Sequence, residues 1–102
     1  MIVRVQADGA LSVEDVEVLD RFHVEGSGLP MTEVVAALEA GGAGTAHSAE
    51  QVAVEPGYLL TAADSSVSQE WQRGFDGMVA HARAKGWVSA SGALLAHVED
   101  LG

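Results

Sequence analysis

A long amphipathic segment near the C-terminus constrains the fold more than any other feature of the sequence. Over residues 67–85, large apolar side chains recur every three or four positions, which places them on one face of an α-helix. They are Trp71, Phe75, Met78 and Ala82. Ser66 or Asp64 would cap the start of this helix, and Gly86 would end it in the left-handed conformation that glycine adopts readily. The sequence therefore predicts a long helix over residues 67–85 that packs against a core along one stripe.

Two glycines interrupt this predicted helix. Gly74 and Gly77 both fall in its interior, where glycine costs about 1 kcal/mol relative to alanine. Their presence predicts either that another part of the backbone passes close to the helix or that the helix bends there.

The N-terminal quarter of the chain predicts a strand followed by a helix. Residues 1–6 alternate apolar and polar side chains, which is typical of a β-strand. Ser12 is a suitable helix N-cap, and Asp15 stands three residues later, as in a capping box. We therefore expect a helix from Ser12 to about His23.

The middle of the chain predicts a helix, a loop and a short strand. A second helix would begin at Pro30 or Thr32 and stop at the glycine pair that opens residues 41–48. Glycine, alanine and other small residues in that segment predict a flexible loop, or the edge of an element that becomes ordered on binding. Residues 51–54 indicate a short strand, and Pro56 would start a turn or short helix.

Residues 87–99 allow two interpretations. In the first, a turn at residues 89–92 leads into a strand that buries Leu94, Ala96 and Val98, so that the segment forms a β-hairpin. In the second, the residues after Gly92 form a helix. We favour the hairpin because it would give the N-terminal strand a pairing partner, and an unpaired strand leaves its backbone groups unsatisfied.

Together these elements predict a single α+β domain over residues 1–102. It would be small and mostly helical, with three to four helices and a short antiparallel sheet formed by the N-terminal strand and the C-terminal hairpin. The order of a helix, Gly86, Trp87, a turn and a strand resembles, in outline, the recognition helix and wing of winged helix-turn-helix proteins.

Net charge narrows the partners that such a domain can have. Five basic residues against fifteen acidic ones give a formal charge of −10. A field of this sign keeps a protein soluble, repels nucleic acids and anionic membranes, and speeds association with a basic partner. The chain has no cysteine, no apolar stretch long enough to span a bilayer and no recognisable targeting segment. We therefore expect a soluble, cytoplasmic protein.

A nucleic-acid site would have to use the basic residues of the long helix. Arg73, Arg83 and Lys85 lie there, and the segment from Trp71 to Trp87 contains only one acidic residue. DNA sites commonly involve roughly 6–10 phosphate contacts. Three basic residues in a protein of charge −10 fall short of that number, so the sequence argues against nucleic acid as the partner.

Catalytic and metal-binding motifs are absent from the sequence. No serine stands in a nucleophile elbow, and the glycine-rich segment 41–45 has neither the lysine nor the flanking elements of a phosphate-binding loop. None of His23, His47, His81 and His97 forms a closely spaced pair of the kind that binds zinc. The sequence predicts no catalytic residue, cofactor or metal site, although a site assembled from distant parts of the chain is left open.

Three functional hypotheses follow. The leading one is a non-catalytic interaction domain that binds a protein with a basic surface, or a second copy of itself. The second is a small-ligand-binding protein or enzyme subunit with an aromatic pocket. That pocket would be lined by Tyr58, Trp71, Phe75 and Trp87, with His81 as a polar group. The same aromatic residues would equally serve as ordinary core. The third hypothesis is a DNA-binding regulator of winged-helix type.

Overall fold

The chain forms a sheet covered by a layer of helices. A computed structural model describes residues 1–63 and 68–102, and in these ranges it contains six strands and three helices. The strands are β1 (Ile2–Val5), β2 (Leu11–Glu14), β3 (His23–Glu25), β4 (Gly44–Ala46), β5 (Gln51–Val54) and β6 (Leu94–Glu99). The helices are α1 (Met31–Ala40), α2 (Pro56–Ala62) and α3 (Gln69–Lys85).

The strands make one mixed sheet that curls into a half-barrel. Its order is β2-β1-β3-β6-β5-β4. β1 is antiparallel to β2 and parallel to β3, and β3 is parallel to β6. β5 pairs antiparallel with both β6 and β4. β6, the last strand of the chain, therefore lies in the middle of the sheet.

Alternation along the strands separates an apolar inner face from a polar outer face. On the inner face, the buried strand residues form one apolar cluster with buried residues from all three helices. The strand residues are Val3, Val5, Val24, Val52, Val54, Leu94, Ala96 and Val98, and the helix residues are Val34, Leu38, Leu59, Trp71 and Phe75. Arg4, Glu14 and Glu25 lie on the outer face, which the helices leave uncovered.

The long helix and its C-terminal closure are confirmed. α3 begins after Ser68, whose hydroxyl accepts a hydrogen bond from the Trp71 amide at 3.1 Å. Gly86 adopts a φ of +76°, and the Trp87 amide donates to the Ala82 carbonyl at 2.8 Å, as in a Schellman motif. The predicted caps at residues 64 and 66 lie outside the described residues. Within the described ranges, no helix combines the length and the apolarity that crossing a membrane requires.

The prediction of a mostly helical domain is wrong, and the main error lies in residues 12–23. Leu11–Glu14 forms β2, which pairs with β1 through a tight turn, and His23–Glu25 forms β3. Asp15 has a φ of +51°, which a helix cannot contain. An N-cap contributes only about 1 kcal/mol. Pairing with β1 satisfies more backbone groups and brings Leu11 and Val13 against the core.

The predicted short antiparallel sheet and the winged-helix outline are also wrong. β6 is a strand that buries Leu94, Ala96 and Val98, as the hairpin interpretation requires. Its main partners are β3 and β5, however, and not β1. In the described part of the chain, the hairpin is reduced to a bridge between Val88 and Leu94, with backbone hydrogen bonds from the Ser89 amide to Ala93 and from the Leu95 amide to Trp87. A strand in the middle of a sheet cannot project as a wing.

The predicted loop at residues 41–48 contains the edge strand β4, and glycine is needed there. A Cβ at Gly44 would overlap the carbonyl oxygen of Ala53 on β5. Glycine at position 44 therefore allows the two backbones to approach, whereas in the sequence the glycine-rich composition of this segment suggested a loop.

We predict that Gly44→Ala lowers the free energy of unfolding by about 1–3 kcal/mol, because the overlap forces β4 and β5 apart. Gly57→Ala is the matched control, since a Cβ at this position in α2 would meet open space and alanine favours the helix by up to about 1 kcal/mol. Urea unfolding of both variants measures the difference. Equal stabilities would contradict the register of β4 on β5.

Candidate functional site

A groove runs beside α3, where the helix faces the connection from β2 to β3. Its volume is about 540 Å³, within the usual range of small-molecule sites, about 300–1,000 Å³. Leu19, Phe22 and Met78 provide apolar walls, and the start of β6 contributes Leu94 and Leu95. The polar side chains of the lining are Asp20 and His81.

Two of the five predicted pocket residues lie on this groove. His81 and Trp87 both line it, with their ring centroids 5.6 Å apart and their ring planes at 74°. The Trp87 side chain is 51% exposed. A large aromatic ring in this position places apolar surface at the mouth of the groove, where a bound molecule would cover it.

The other three predicted pocket residues lie elsewhere. Trp71 and Phe75 are buried in the core, with rings stacked at 5.1 Å. The Trp71 indole nitrogen donates to the Val16 carbonyl at 2.7 Å, which anchors α3 to the β2–β3 connection. Tyr58 is half-buried on α2, outside the groove lining, and burial raises the pKa of its hydroxyl. The structure therefore separates the core aromatics Trp71 and Phe75 from the groove aromatics His81 and Trp87.

Sequence reasoning missed the wall formed by Leu19, Asp20 and Phe22. Residues 12–23 were expected to form one helix, which would have placed Leu19 and Phe22, three positions apart, together on its buried face against the core. In the structure, they belong to the irregular connection between β2 and β3. No local pattern marks them as groove residues, because they face α3 only once the sheet has formed.

The two interior glycines of α3 have different environments. At Gly74, a Cβ would come within 2.7 Å of the Leu19 Cδ1 atom, so glycine allows the β2–β3 connection to pack against the helix. The close neighbour is a side chain and not the backbone that the sequence suggested. At Gly77, a Cβ would have no neighbour within 4 Å among the residues that the structure describes, and Gly77 lines the groove.

The three basic residues proposed for nucleic acid do not form a cluster on one part of α3. Arg73, Arg83 and Lys85 are all exposed. Arg73 lies about 15 Å along the helix axis from Arg83, at a rise of about 1.5 Å per residue. β6 lies inside the sheet, so in the described part of the chain it does not stand beside these residues as a wing.

A second group of polar side chains lies on the outer face of the sheet. Arg4 makes a forked ion pair with Glu14, at 2.8 and 3.2 Å, and contacts a Glu25 oxygen at 3.1 Å. The His23 Nε2 atom lies 3.1 Å from the other Glu25 oxygen and 3.2 Å from a Glu99 oxygen.

The hydrogen bond with His23 and the charge of Arg4 hold the pKa of Glu25 below its usual value, and the hydrogen bond with Arg4 lowers the pKa of Glu14. Among the described residues, His23, Glu25 and Glu99 form the group that could hold a metal ion.

Comparisons with protein families, curated proteins and solved structures found no match.

We predict that the Glu25 contacts stabilise the fold only while Glu25 is ionised. Its folded-state pKa lies below the ordinary value of 4.5, so its contribution is full above that pH and is lost as the pH falls through the lowered pKa. The difference in melting temperature between wild type and Glu25→Gln should therefore shrink on acidification. Glu39→Gln controls for loss of one exposed carboxylate, because Glu39 makes no ion pair in the described part of the chain. A Glu25→Gln difference that stays constant from pH 7 to pH 3 would contradict this contribution.

Proposed function

We propose that this protein binds a small molecule in the groove beside α3. The observation that carries the proposal is Gly77, a helix-interior glycine on the groove wall whose Cβ would have no neighbour within 4 Å in residues 1–63 and 68–102. Glycine in a helix interior costs about 1 kcal/mol relative to alanine. At Gly74, close packing against Leu19 explains this cost. At Gly77, the surrounding packing gives no such explanation, and the effect of the missing side chain is a wider groove.

Features of the groove lining support a particular class of ligand. Leu19, Phe22, Met78 and Trp87 favour an apolar or aromatic body, since burial of such a body gains about 25 cal/mol per Å². The Asp20 carboxylate and the overall charge of −10 favour a cationic group over an anionic one. The ligand that fits these features is a small aromatic or aliphatic amine.

Three indoles that share a ring system but differ in charge test this proposal. Tryptamine is cationic, indole is neutral and indole-3-acetate is anionic. We expect tryptamine to bind most tightly and indole-3-acetate most weakly. Titration followed by NMR should shift the Trp87 indole and Met78 methyl signals and leave the buried Trp71 indole signal almost unchanged.

Gly77→Leu tests the role of the groove itself, because the leucine side chain would occupy it. We expect tryptamine affinity to fall at least about tenfold, while stability stays equal or rises because leucine is the better helix former. Ala80→Leu is the matched control, since Ala80 is exposed on the same helix and is not a groove-lining residue. Equal affinity in both variants, or a failure of all three indoles to shift Trp87, would overturn small-molecule binding at this site.

The charge distribution favours a second candidate function, binding to a basic protein. In the described part of the chain, Arg4 is the only arginine or lysine that forms ion pairs with carboxylates, so most of the negative charge faces solvent. A partner held by this charge would be captured at low salt and released as salt rises. Affinity capture with the Gly77→Leu variant as bait distinguishes protein binding from small-molecule binding. This variant fills the groove but keeps the negative charge, so it should still retain a partner that is bound by charge. Salt-insensitive capture would contradict the electrostatic mechanism.

We also propose a cytoplasmic location. The support for it is the cysteine-free composition, which fits a reducing compartment.

A further inference from the structure

Three potential metal-ligand atoms converge on the outer face of the sheet, away from the core side that the helices cover. They are His23 Nε2, Glu25 Oε1 and Glu99 Oε2, and all three lie within 4.8 Å of one another. The separations from Nε2 to the two oxygens are 3.1 and 3.2 Å. When two ligand atoms each lie about 2.1 Å from an ion, the distance between them depends on the ligand–ion–ligand angle. It is about 3.0 Å for the octahedral angle and about 3.4 Å for the tetrahedral angle. The observed separations from Nε2 fall in this range.

The hydrogen on His23 Nε2 cannot make a full hydrogen bond with both of the carboxylate oxygens that approach it. A neutral imidazole carries at most one proton on Nε2, yet two carboxylate oxygens approach that atom at nearly equal distances. In addition, Glu25 and Glu99 are direct cross-strand neighbours in the pairing of β3 with β6. Like charges in this relation destabilise a sheet. A bound cation would remove the repulsion and satisfy both oxygens.

The surrounding residues position the ligands and set the charge. Arg4 holds the other oxygen of Glu25 at 3.1 Å and is itself held by the forked pair with Glu14. The side chains of His23 and Glu25 are each about one-quarter exposed, whereas that of Glu99 is 55% exposed. His23 and Glu25 are therefore the more enclosed ligands, and Glu99 is the one that faces solvent. With neutral His23, the carboxylates of Glu14, Glu25 and Glu99 exceed the single guanidinium by two charges, which a divalent cation balances.

The strand register places a second histidine on the same outer face, next to the cluster. Val24 and Val98 are paired and buried, so the residues that precede them, His23 and His97, both face outward on neighbouring strands. His97 is exposed. One or two imidazoles with two carboxylates suit zinc and related transition-metal ions better than magnesium or calcium, which prefer oxygen ligands alone.

We propose that His23, Glu25 and Glu99 form a binding site for a divalent transition-metal ion of the zinc class. The site is independent of the groove beside α3. The sequence did not reveal it because the ligands lie on two strands that are far apart in the chain and adjacent only in the sheet.

Zinc titration of the full-length, metal-free protein tests the proposal, with affinity measured by competition against a chromophoric chelator. We expect one zinc ion per chain. His23→Gln and Glu99→Gln should each weaken binding at least about tenfold, because losing a ligand costs at least as much as losing a residue that only orients a ligand. His47→Gln and Glu50→Gln are matched controls at exposed positions outside the cluster, and they should bind zinc like the wild type.

NMR of the imidazole signals identifies the ligands directly, because the chain has only four histidines. Zinc should shift the His23 signals first, and a shift of His97 would add it to the ligand set. Circular dichroism of each variant verifies that the fold is retained. Unchanged zinc affinity in His23→Gln, initial shifts at His47 or His81, or the lack of saturable binding would each overturn the proposal.

Discussion

The position of β6 is the constraint on which the rest of the structure depends. This strand joins β3 on one side to β5 on the other, so it connects the N-terminal half of the sheet to the half formed by β5 and β4. Backbone hydrogen bonds continue this connection past the end of β3. The Gly26 amide donates to the Glu99 carbonyl at 2.8 Å, and the Gly28 amide donates to the Asp100 carbonyl at 2.7 Å. Without β6, the inner face would be divided, and the helices would have no continuous surface to cover.

Both proposed sites follow from this junction. The start of β6 contributes Leu94 and Leu95 to the groove beside α3, and its end contributes Glu99 to the ligand group on the outer face. Alternation along one strand directs Val98 into the core and Glu99 outward. The groove depends on α3 and the β2–β3 connection, whereas the outer face depends on the register of β3 with β6. The two sites can therefore be tested and lost independently.

Local patterns in the sequence predicted the elements whose formation depends on local interactions. The stripe from Trp71 to Ala82 and the glycine at position 86 were sufficient for α3, because helix periodicity and C-cap geometry are encoded within a few residues. β2 was missed because the cap signal at Ser12 competes with a pairing to β1 that only the tertiary structure reveals. For the groove, the sequence suggested His81 and Trp87 but also the core residues Trp71 and Phe75. Helical spacing alone does not distinguish a core stripe from a pocket wall.

Native-state amide hydrogen exchange tests the role of β6 most directly. If β6 unites the sheet, the slowest-exchanging amides of β1, β3, β5 and β6 should open with one shared free energy, equal to that of global unfolding. If the β1–β3 half and the β5–β4 half are separate units, their amides will instead show two distinct opening free energies, with the lower one well below the global value. One shared value supports the continuous sheet on which both sites rest. Two values would contradict it.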